Sequence, residues 1–373
     1  MVFMKIQRCL PAFIICLAAC QQPAKQQASQ DSTVAAATQR PVFYTRLKGT
    51  LAGQPVTMQL VRSGEQQYEG WYAYDSIGHP IPLYHQQDSS GRIVLAEYSG
   101  MDDTPPVFTG EITPDGHFKG RWVGSRQFEF DLQEDTKGAV LFDVFSFSDS
   151  AVLFYNDPGS PMAIASASIV WPVGGTDEAG LEVIRQAIGK SIRNPDSLVK
   201  APVNGFLKDY LQQRGEVDTN ALETGMGATW NWTAESRTRV VWNQYPLVVL
   251  ESAGYEYTGG AHGNYGSIFS VIDLARKKVL APADVFKPGY EKVLSVALEK
   301  AFRAKYNVPA NEKLNQGYLF GASIMPNQNF FITGKGVTFC YTPYEIAAYV
   351  MGQITLFVPF EDVKDIVNEA YLQ

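Results

Sequence analysis

The chain has 373 residues, a length that accommodates two or three domains. Hydrophobic residues make up 45% and charged residues 18%, a globular composition that excludes a disordered or fibrous chain, and 32 glycines, 21 prolines and 12% aromatics lean it toward strands and turns. The formal charge of −7 leaves no broadly basic surface, which argues against nucleic acid as a partner.

The N-terminus is read first. Lys5 and Arg8 precede an apolar run at residues 9–19 that is too short to span a bilayer. Residues 17–20 read LAAC. This resembles a bacterial lipoprotein signal, with residues 1–19 as the leader and Cys20 as the lipidated residue; the alternative is an ordinary secretory leader that contains a cysteine. The resemblance implies a cell-envelope protein held to the membrane through lipid on Cys20, on the periplasmic side of the outer membrane or at the cell surface. Cys9 and Cys16 then leave with the leader, and Cys340 is the one thiol that remains, so packing rather than a disulfide must hold the fold. Residues 20–40, rich in Gln, Ala and Ser, read as a solvated tether.

Residues 41–138 read as an antiparallel β domain. At its end, Phe128, Phe130 and Leu132 alternate with Gln127, Glu129 and Asp131, the period of a half-buried strand. PDG at 114–116 and SSG at 89–91 are turn signals. An aromatic-x-Gly unit recurs at Tyr68–Gly70, Phe108–Gly110 and Phe118–Gly120, which lets a ring cover the missing side chain or lets the strand bend. The repetition predicts a curled meander or a small barrel-like sheet. Such a sheet can enclose a ligand, although these pairs usually serve the core.

Residues 139–373 read as an α+β module, so that the whole chain is α+β in class. Strands are expected in AVLFDVFSFSDSAVLFYN and AIASASIVWPV. Leu181, Ile184 and Ile188 then mark a helix capped by Thr176 or Asp177. Phe206, Leu207, Tyr210 and Leu211 mark a second helix, and TWNWTA, RTRVVWNQ and YPLVVLES read as strands. Residues 290–306 form the strongest helix, with Val293, Leu294, Ala297, Leu298, Ala301 and Phe302 on one stripe. KGVTFCYTP and QITLFVPF are further strands, and EDVKDIVNEAY is expected to close the chain as a helix.

The most distinctive stretch is YEYTGGAHGNYGSIFSVID, residues 255–273. Together with FFITGKGVTFCYTPYEIAAYVMGQITLFVPFEDV at 330–363, it resembles the C-terminal extracellular domain of RsiV-type anti-sigma factors, a domain also found beside the N-terminal domain of PdaC-type peptidoglycan deacetylases. The resemblance covers roughly residues 145–373, with a weaker half at 145–225 and the signature half at 226–373. It implies capture of an envelope ligand, since the RsiV-type domain binds lysozyme. A sigma-binding segment, a spanning helix and a deacetylase domain are not seen in this sequence. Charge gives a basic lysozyme no steering from the signature half, where residues 226–373 hold 13 Lys plus Arg against 13 Asp plus Glu. The negative charge sits upstream, with a net of −5 across residues 40–135, so steering would come from the other domain.

The chemistry of the signature has three readings. As a binding loop it comprises Tyr255, Tyr257, Thr258, Gly259, Gly260, His262, Gly263, Asn264 and Tyr265, with Gly259 or Gly260 at positive φ and His262 hydrogen-bonded within the loop. As the centre of a cell-wall or carbohydrate hydrolase, His262 would need Glu251, Glu256 or Asp273 beside it, or Cys340 or Ser267 as a nucleophile. In the third reading the protein is a structural lipoprotein and the loop only shapes a sheet. The four histidines, His79, His85, His117 and His262, have no metal-binding spacing, and no motif calls for a cofactor or a metal. The binding reading is preferred, with a cell-wall glycan or a lysozyme-like protein as the partner and no catalytic residues. The anchoring claim has a direct check. Cys20→Ser should abolish incorporation of labelled palmitate and leave the leader uncleaved; labelled, normally processed protein would refute it.

Overall fold

The computed structural model describes residues 40–86, 91–98, 104–157, 159–217 and 229–372. The expected leader, Cys20 and the tether up to residue 39 lie outside the described residues, as does most of the SSG turn. Eight antiparallel strands, β1 (Phe43–Leu51), β2 (Gln54–Gly64), β3 (Gln67–Tyr74), β4 (Ile81–His85), β5 (Ile93–Glu97), β6 (Val107–Ile112), β7 (His117–Val123) and β8 (Gln127–Glu134), follow one another around a closed barrel. Closure comes from β1 pairing with β8, Leu47 opposite Glu134 through Leu51 opposite Phe130.

Alternation along each strand decides the barrel interior. Leu47, Met58, Leu60, Tyr72, Leu95, Phe108, Phe118 and Leu132 all point inward and are buried together. The interior is thus a packed core, and the aromatic-x-Gly units serve it. A Cβ on Gly70, Gly110 or Gly120 would stand 2.1, 2.3 and 2.1 Å from a neighbouring strand's carbonyl oxygen, so the bare backbones permit the tight curl that closes the barrel.

A six-stranded sheet follows, in the order β14-β13-β12-β11-β10-β9. Its strands are β9 (Leu141–Val152), β10 (Met162–Gly174), β11 (Trp232–Gln244), β12 (Leu247–Tyr257), β13 (Asn264–Asp273) and β14 (Lys278–Val279). Only β10 and β11 are parallel, and the crossover this requires carries α1 (Glu178–Gly189) and α2 (Pro195–Gln212). Asp177 caps α1 by accepting from the Gly180 N–H, the second of the two caps the sequence offered. Helix α2 is longer than expected: Asn194 caps it, Pro195 opens it, and it runs through Pro202. TWNWTA and RTRVVWNQ, expected as two strands, are one strand, β11.

One face of the six-stranded sheet packs Val240, Val248, Leu250 and Ile272 against Ile184 of α1 and against Tyr44 and Val61 on the barrel's outer surface. The opposite face packs Leu247, Val249, Phe269 and Val271 against the helix α3 (Tyr290–Tyr306) and a three-stranded sheet of β15 (Phe330–Ile332), β16 (Gly336–Tyr341) and β17 (Ile354–Pro359). Helix α3 buries Leu294, Leu298 and Phe302, while Val293, expected in the stripe, is exposed. The barrel and the two sheets belong to one compact unit. Among the described residues no helix is long and apolar enough to cross a membrane.

The chain does not end in the expected helix. After a single turn at Phe360–Val363 come two 3-10 turns, at Lys364–Ile366 and Glu369–Tyr371. Tertiary partners take the backbone instead: Val367 bridges to Phe286, and Asn368 bonds the Val285 and Asp284 carbonyls through its N–H and its amide. Cys340 sits in β16, fully buried, and burial pushes its thiol pKa far up. The native thiol should therefore resist a neutral-pH disulfide reagent, and Cys340→Ala should cost roughly 1 kcal/mol in urea unfolding. Rapid labelling of native protein would contradict this placement.

Candidate ligand-binding site

The strand β12 changes character along one face. Leu247 and Val249 belong to the core, Glu251 is a buried charge, and Ala253 and Tyr255 face a cavity. Register carries the same change across its neighbours. On β11, Arg239, Arg237 and Glu235 stand opposite Glu251, Ala253 and Tyr255; on β13, Phe269, Ser267 and Tyr265 do. Directly opposed residues share a face, so these nine side chains form one surface. All but Phe269, which packs into the core, floor a cavity of about 1080 Å³.

The other walls come from distant parts of the chain. The barrel supplies Trp71, Pro82, Tyr84 and Tyr98, the end of α3 supplies Ala301, Ala304, Lys305 and Tyr306, and the three-stranded sheet supplies Phe331, Thr338, Thr355 and Phe357. In β3, Tyr72 points into the barrel core, so Glu69 and Trp71 on the alternate face point out toward the six-stranded sheet. His79 stacks on Phe357 at 4.5 Å and 9°; burial, then the Lys305 charge, lower its pKa to about 4, so the ring is neutral near pH 7.

An ion cluster joins the walls at the cavity floor. Arg239 Nε and Nη2 donate to Glu251 Oε2 at 2.9 and 2.6 Å, and Nη1 donates to Glu69 Oε2 at 2.9 Å. The guanidinium lies 5.7 Å from the ring centre of Trp71 and 5.2 Å from that of Tyr84. Glu251 also accepts from Trp71 Nε1 at 3.2 Å and from Ser267 Oγ at 2.6 Å. Burial opposes the charge on Arg239, but the two carboxylates outweigh it and hold the pKa well above its ordinary value.

The signature divides into two parts. Tyr255 and Tyr265, opposite each other just below the tip of the β12–β13 hairpin, line the cavity. The tip is a latch. Gly259 and Gly260 have φ of +100° and +92°, the left-handed backbone expected, and a Cβ on Gly259 would meet the Thr229 carbonyl oxygen at 2.9 Å. Tyr257 donates to the Gly260 carbonyl at 3.1 Å, and Thr258 and Asn264 are exposed. Gly263 is buried against the Tyr255 ring, which leaves no room for a side chain.

His262 is part of that latch. Its ring stacks on Tyr349 at 3.7 Å and 20°. A carbonyl can only accept, so the 3.0 Å contact with the Gly263 oxygen places the proton on Nδ1; Nε2 then accepts from Tyr344 at 3.3 Å. Tyr349 donates to the same Gly263 carbonyl at 2.6 Å. Two of the carboxylates that a catalytic His262 would need are engaged elsewhere, and no contact joins the third to His262. Glu251 belongs to the ion cluster, Asp273 bonds Arg276 and Tyr371, and Glu256 sits opposite Asn264 in the hairpin. Ser267 donates to Glu251 rather than to a histidine, and Cys340 touches the Ser267 carbonyl from within the core. Among the described residues no cluster of His, Cys, Asp and Glu could hold a metal ion.

Sequence reasoning missed Arg237, Arg239, Lys305, Tyr84, Tyr98 and Thr338 as cavity residues. One signal was available: in RTRVV, two arginines alternate on the same face of a strand whose neighbours are otherwise apolar.

Comparison with known proteins agrees with the signature. The family profile "Deacetylase PdaC" matches residues 168–265, and the profile "Protein of unknown function (DUF3298)" matches residues 283–361. The solved structure of a DUF3298 family member from Bacteroides fragilis is 26% identical, covering 62% of this chain and 94% of its own with a TM-score of 0.54. A DUF3298 family protein from Pseudomonas aeruginosa is 19% identical over 62% of this chain and 96% of its own, with a TM-score of 0.42. No curated protein matches the chain. The two profile matches and the Bacteroides fragilis structure agree with the RsiV-like, PdaC-associated resemblance of the signature. The cavity floor belongs largely to the PdaC-like segment and the α3 and β16–β17 walls to the DUF3298 segment, while the barrel lies outside both.

The ion cluster generates a stability prediction. Arg239→Met strands two carboxylates, one of them fully buried, and should cost about 3–5 kcal/mol in urea unfolding. The double variant Arg239→Met/Glu251→Leu should recover much of that loss, because no uncompensated buried charge remains at Glu251. A double-variant loss equal to the sum of the separate Arg239→Met and Glu251→Leu losses would show that the two residues are not coupled.

Proposed function

We propose that this chain, with its PdaC-like and DUF3298 segments, is a lipid-anchored envelope protein that binds a cell-wall component without transforming it. The observation that carries the reading is the cavity between barrel and sheets. At about 1080 Å³ it lies near the upper end of ordinary ligand sites, with room for a disaccharide-sized fragment. Tyrosines at 84, 98, 255, 265 and 306 surround it, offering apolar faces to sugar C–H groups and hydroxyls to their oxygens. The envelope assignment rests on the two profiles and on the LAAC ending at Cys20. The balanced charge of residues 226–373 gives the signature half no attraction of its own to a basic lysozyme-type protein, which favours a cavity-sized wall fragment as the partner.

The rival is a hydrolase centred on His262. His262 does not line the cavity, and its two ring nitrogens face a backbone carbonyl and a tyrosine hydroxyl. Ala253 supplies the test, because it lies on the cavity floor between Arg237 and Ser267 and a larger side chain there projects into open space. Purified full-chain protein should retain soluble muropeptides in equilibrium dialysis and return them with unchanged masses. Ala253→Phe should fold with a similar melting temperature and bind at least about tenfold more weakly, the scale of losing one well-packed contact. Equal retention by both proteins would place the site elsewhere. Cleaved fragments with wild type but not with His262→Ala would establish the hydrolase.

A further inference from the structure

We propose that the cavity selects its ligand by a single carboxylate, seated on Lys305 and Thr338 with Gln353 beside them. This rests on the cavity-binding reading above and adds the chemical class of ligand.

Lys305 lies in the last turn of α3. Its ammonium bonds the Thr355 carbonyl at 3.1 Å and the Thr355 hydroxyl at 3.3 Å. An ammonium has three donors, so one has no acceptor among the described residues. No carboxylate there lies within ion-pair distance of it. The other cations of the cavity have counter-ions within ion-pair distance: Arg239 has Glu251 and Glu69, and Arg237 has Glu69 at 3.4 Å and Glu235 at 3.5 Å, although Arg237 Nε makes no hydrogen bond. Glu97 borders the cavity, but Tyr72 and Trp122 of the barrel hold its carboxylate. Lys305 is therefore the positive charge that the protein leaves without a counter-ion at this site.

Two polar side chains share its wall. Thr338 is 3% exposed, and its hydroxyl has no hydrogen-bond partner in the protein. The Gln353 side-chain oxygen is likewise buried and unpartnered. Leaving such groups buried and unmatched is unfavourable, and a ligand that bonds them removes that cost. Register puts them together: Thr338 pairs with Phe357 and Cys340 with Thr355, so Thr338, Thr355 and Phe357 share a face, and Gln353 follows on it two residues from Thr355, roughly 7 Å along the strand. All of these residues except Cys340 line the cavity.

The charge state narrows the ligand. Neutral His79 on Phe357 adds no second cation, and burial lowers the Lys305 pKa, a shift that a bound anion would reverse. One point charge with a neighbouring hydroxyl matches a monoanionic carboxylate better than a dianionic phosphate, which calls for several cations or an arginine fork. The Thr338 hydroxyl donates to one carboxylate oxygen while Lys305 holds the other, and Gln353 presents its carboxamide to an adjoining polar group.

The test titrates full-chain protein calorimetrically with N-acetylmuramic acid, its methyl ester and inorganic phosphate. Wild type should bind the acid at least tenfold more tightly than the ester, and phosphate should not compete. Lys305→Met should bind acid and ester equally, Lys305→Arg should keep part of the preference, and Thr338→Val should weaken the acid alone by several-fold. Equal binding of acid and ester by wild type, a preference that survives in Lys305→Met, or effective competition by phosphate would each overturn the carboxylate site. If the acid fails to bind while muropeptides are still retained in an Ala253→Phe-sensitive manner, the carboxylate inference falls and the cavity reading stands. If that retention is also absent, both fall.

Discussion

Arg239 is the side chain on which the architecture turns. It is 1% exposed and engages carboxylates from two otherwise separate parts of the fold, Glu251 on the adjoining strand and Glu69 on the barrel. A guanidinium suits this position because its planar fork can donate in several directions while its faces rest on Trp71 and Tyr84. Such a cluster contributes less net stability than an apolar core of the same volume would, since desolvation offsets the attraction. Its effect is geometric, because only one docking of barrel on sheet satisfies all these groups together. Arg46 repeats the arrangement at another seam. It is almost wholly buried and donates to Asp135, Lys137, Asn243 and Gln244, tying the barrel to the far end of β11.

The cavity follows from that docking. Along β12, the face that begins as core cannot remain apolar once the barrel leans away, so charge and then aromatic rings replace aliphatics over nine residues from Leu247 to Tyr255. The same alternation that sends Leu247 and Val249 into the core sends Ala253 and Tyr255 into the cavity. The signature glycines act just beyond that pair, at the tip of the same hairpin. They allow the tip to fold back under Tyr344 and Tyr349, which braces the strands bearing Tyr255 and Tyr265.

Local information reached the sequence reading well. The alternation at Phe128, Phe130 and Leu132, the Asp177 cap and the helix around Leu294 and Leu298 each depend on neighbours within a few residues. The α+β class and the family resemblance were also legible, and so was the left-handed backbone at Gly259 and Gly260. The cavity was not, because its walls come from strands far apart in the chain. Arg239 and Glu69 are 170 residues apart, and nothing near RTRVV names that partner. His262 drew attention as the one histidine in a glycine-rich motif, whereas its role depends on Tyr344 and Tyr349 about 80 residues later. The final helix failed for a related reason: the segment has helical periodicity, but Phe286 and Val285 offer its backbone better partners.

The wide separation of the cavity walls along the chain bears on when the protein becomes competent during folding. Each barrel strand pairs with its sequence neighbour, apart from the closing contact of β1 with β8, so the barrel is assembled mainly from short-range contacts. The six-stranded sheet must instead bring β10 beside β11 across the whole α1–α2 crossover. The recess between the two is bounded only after the slower part has formed and Arg239 has met Glu69. An unfinished chain thus presents no recess, and a ligand that requires it acts late, drawing the population toward the assembled state in proportion to its concentration.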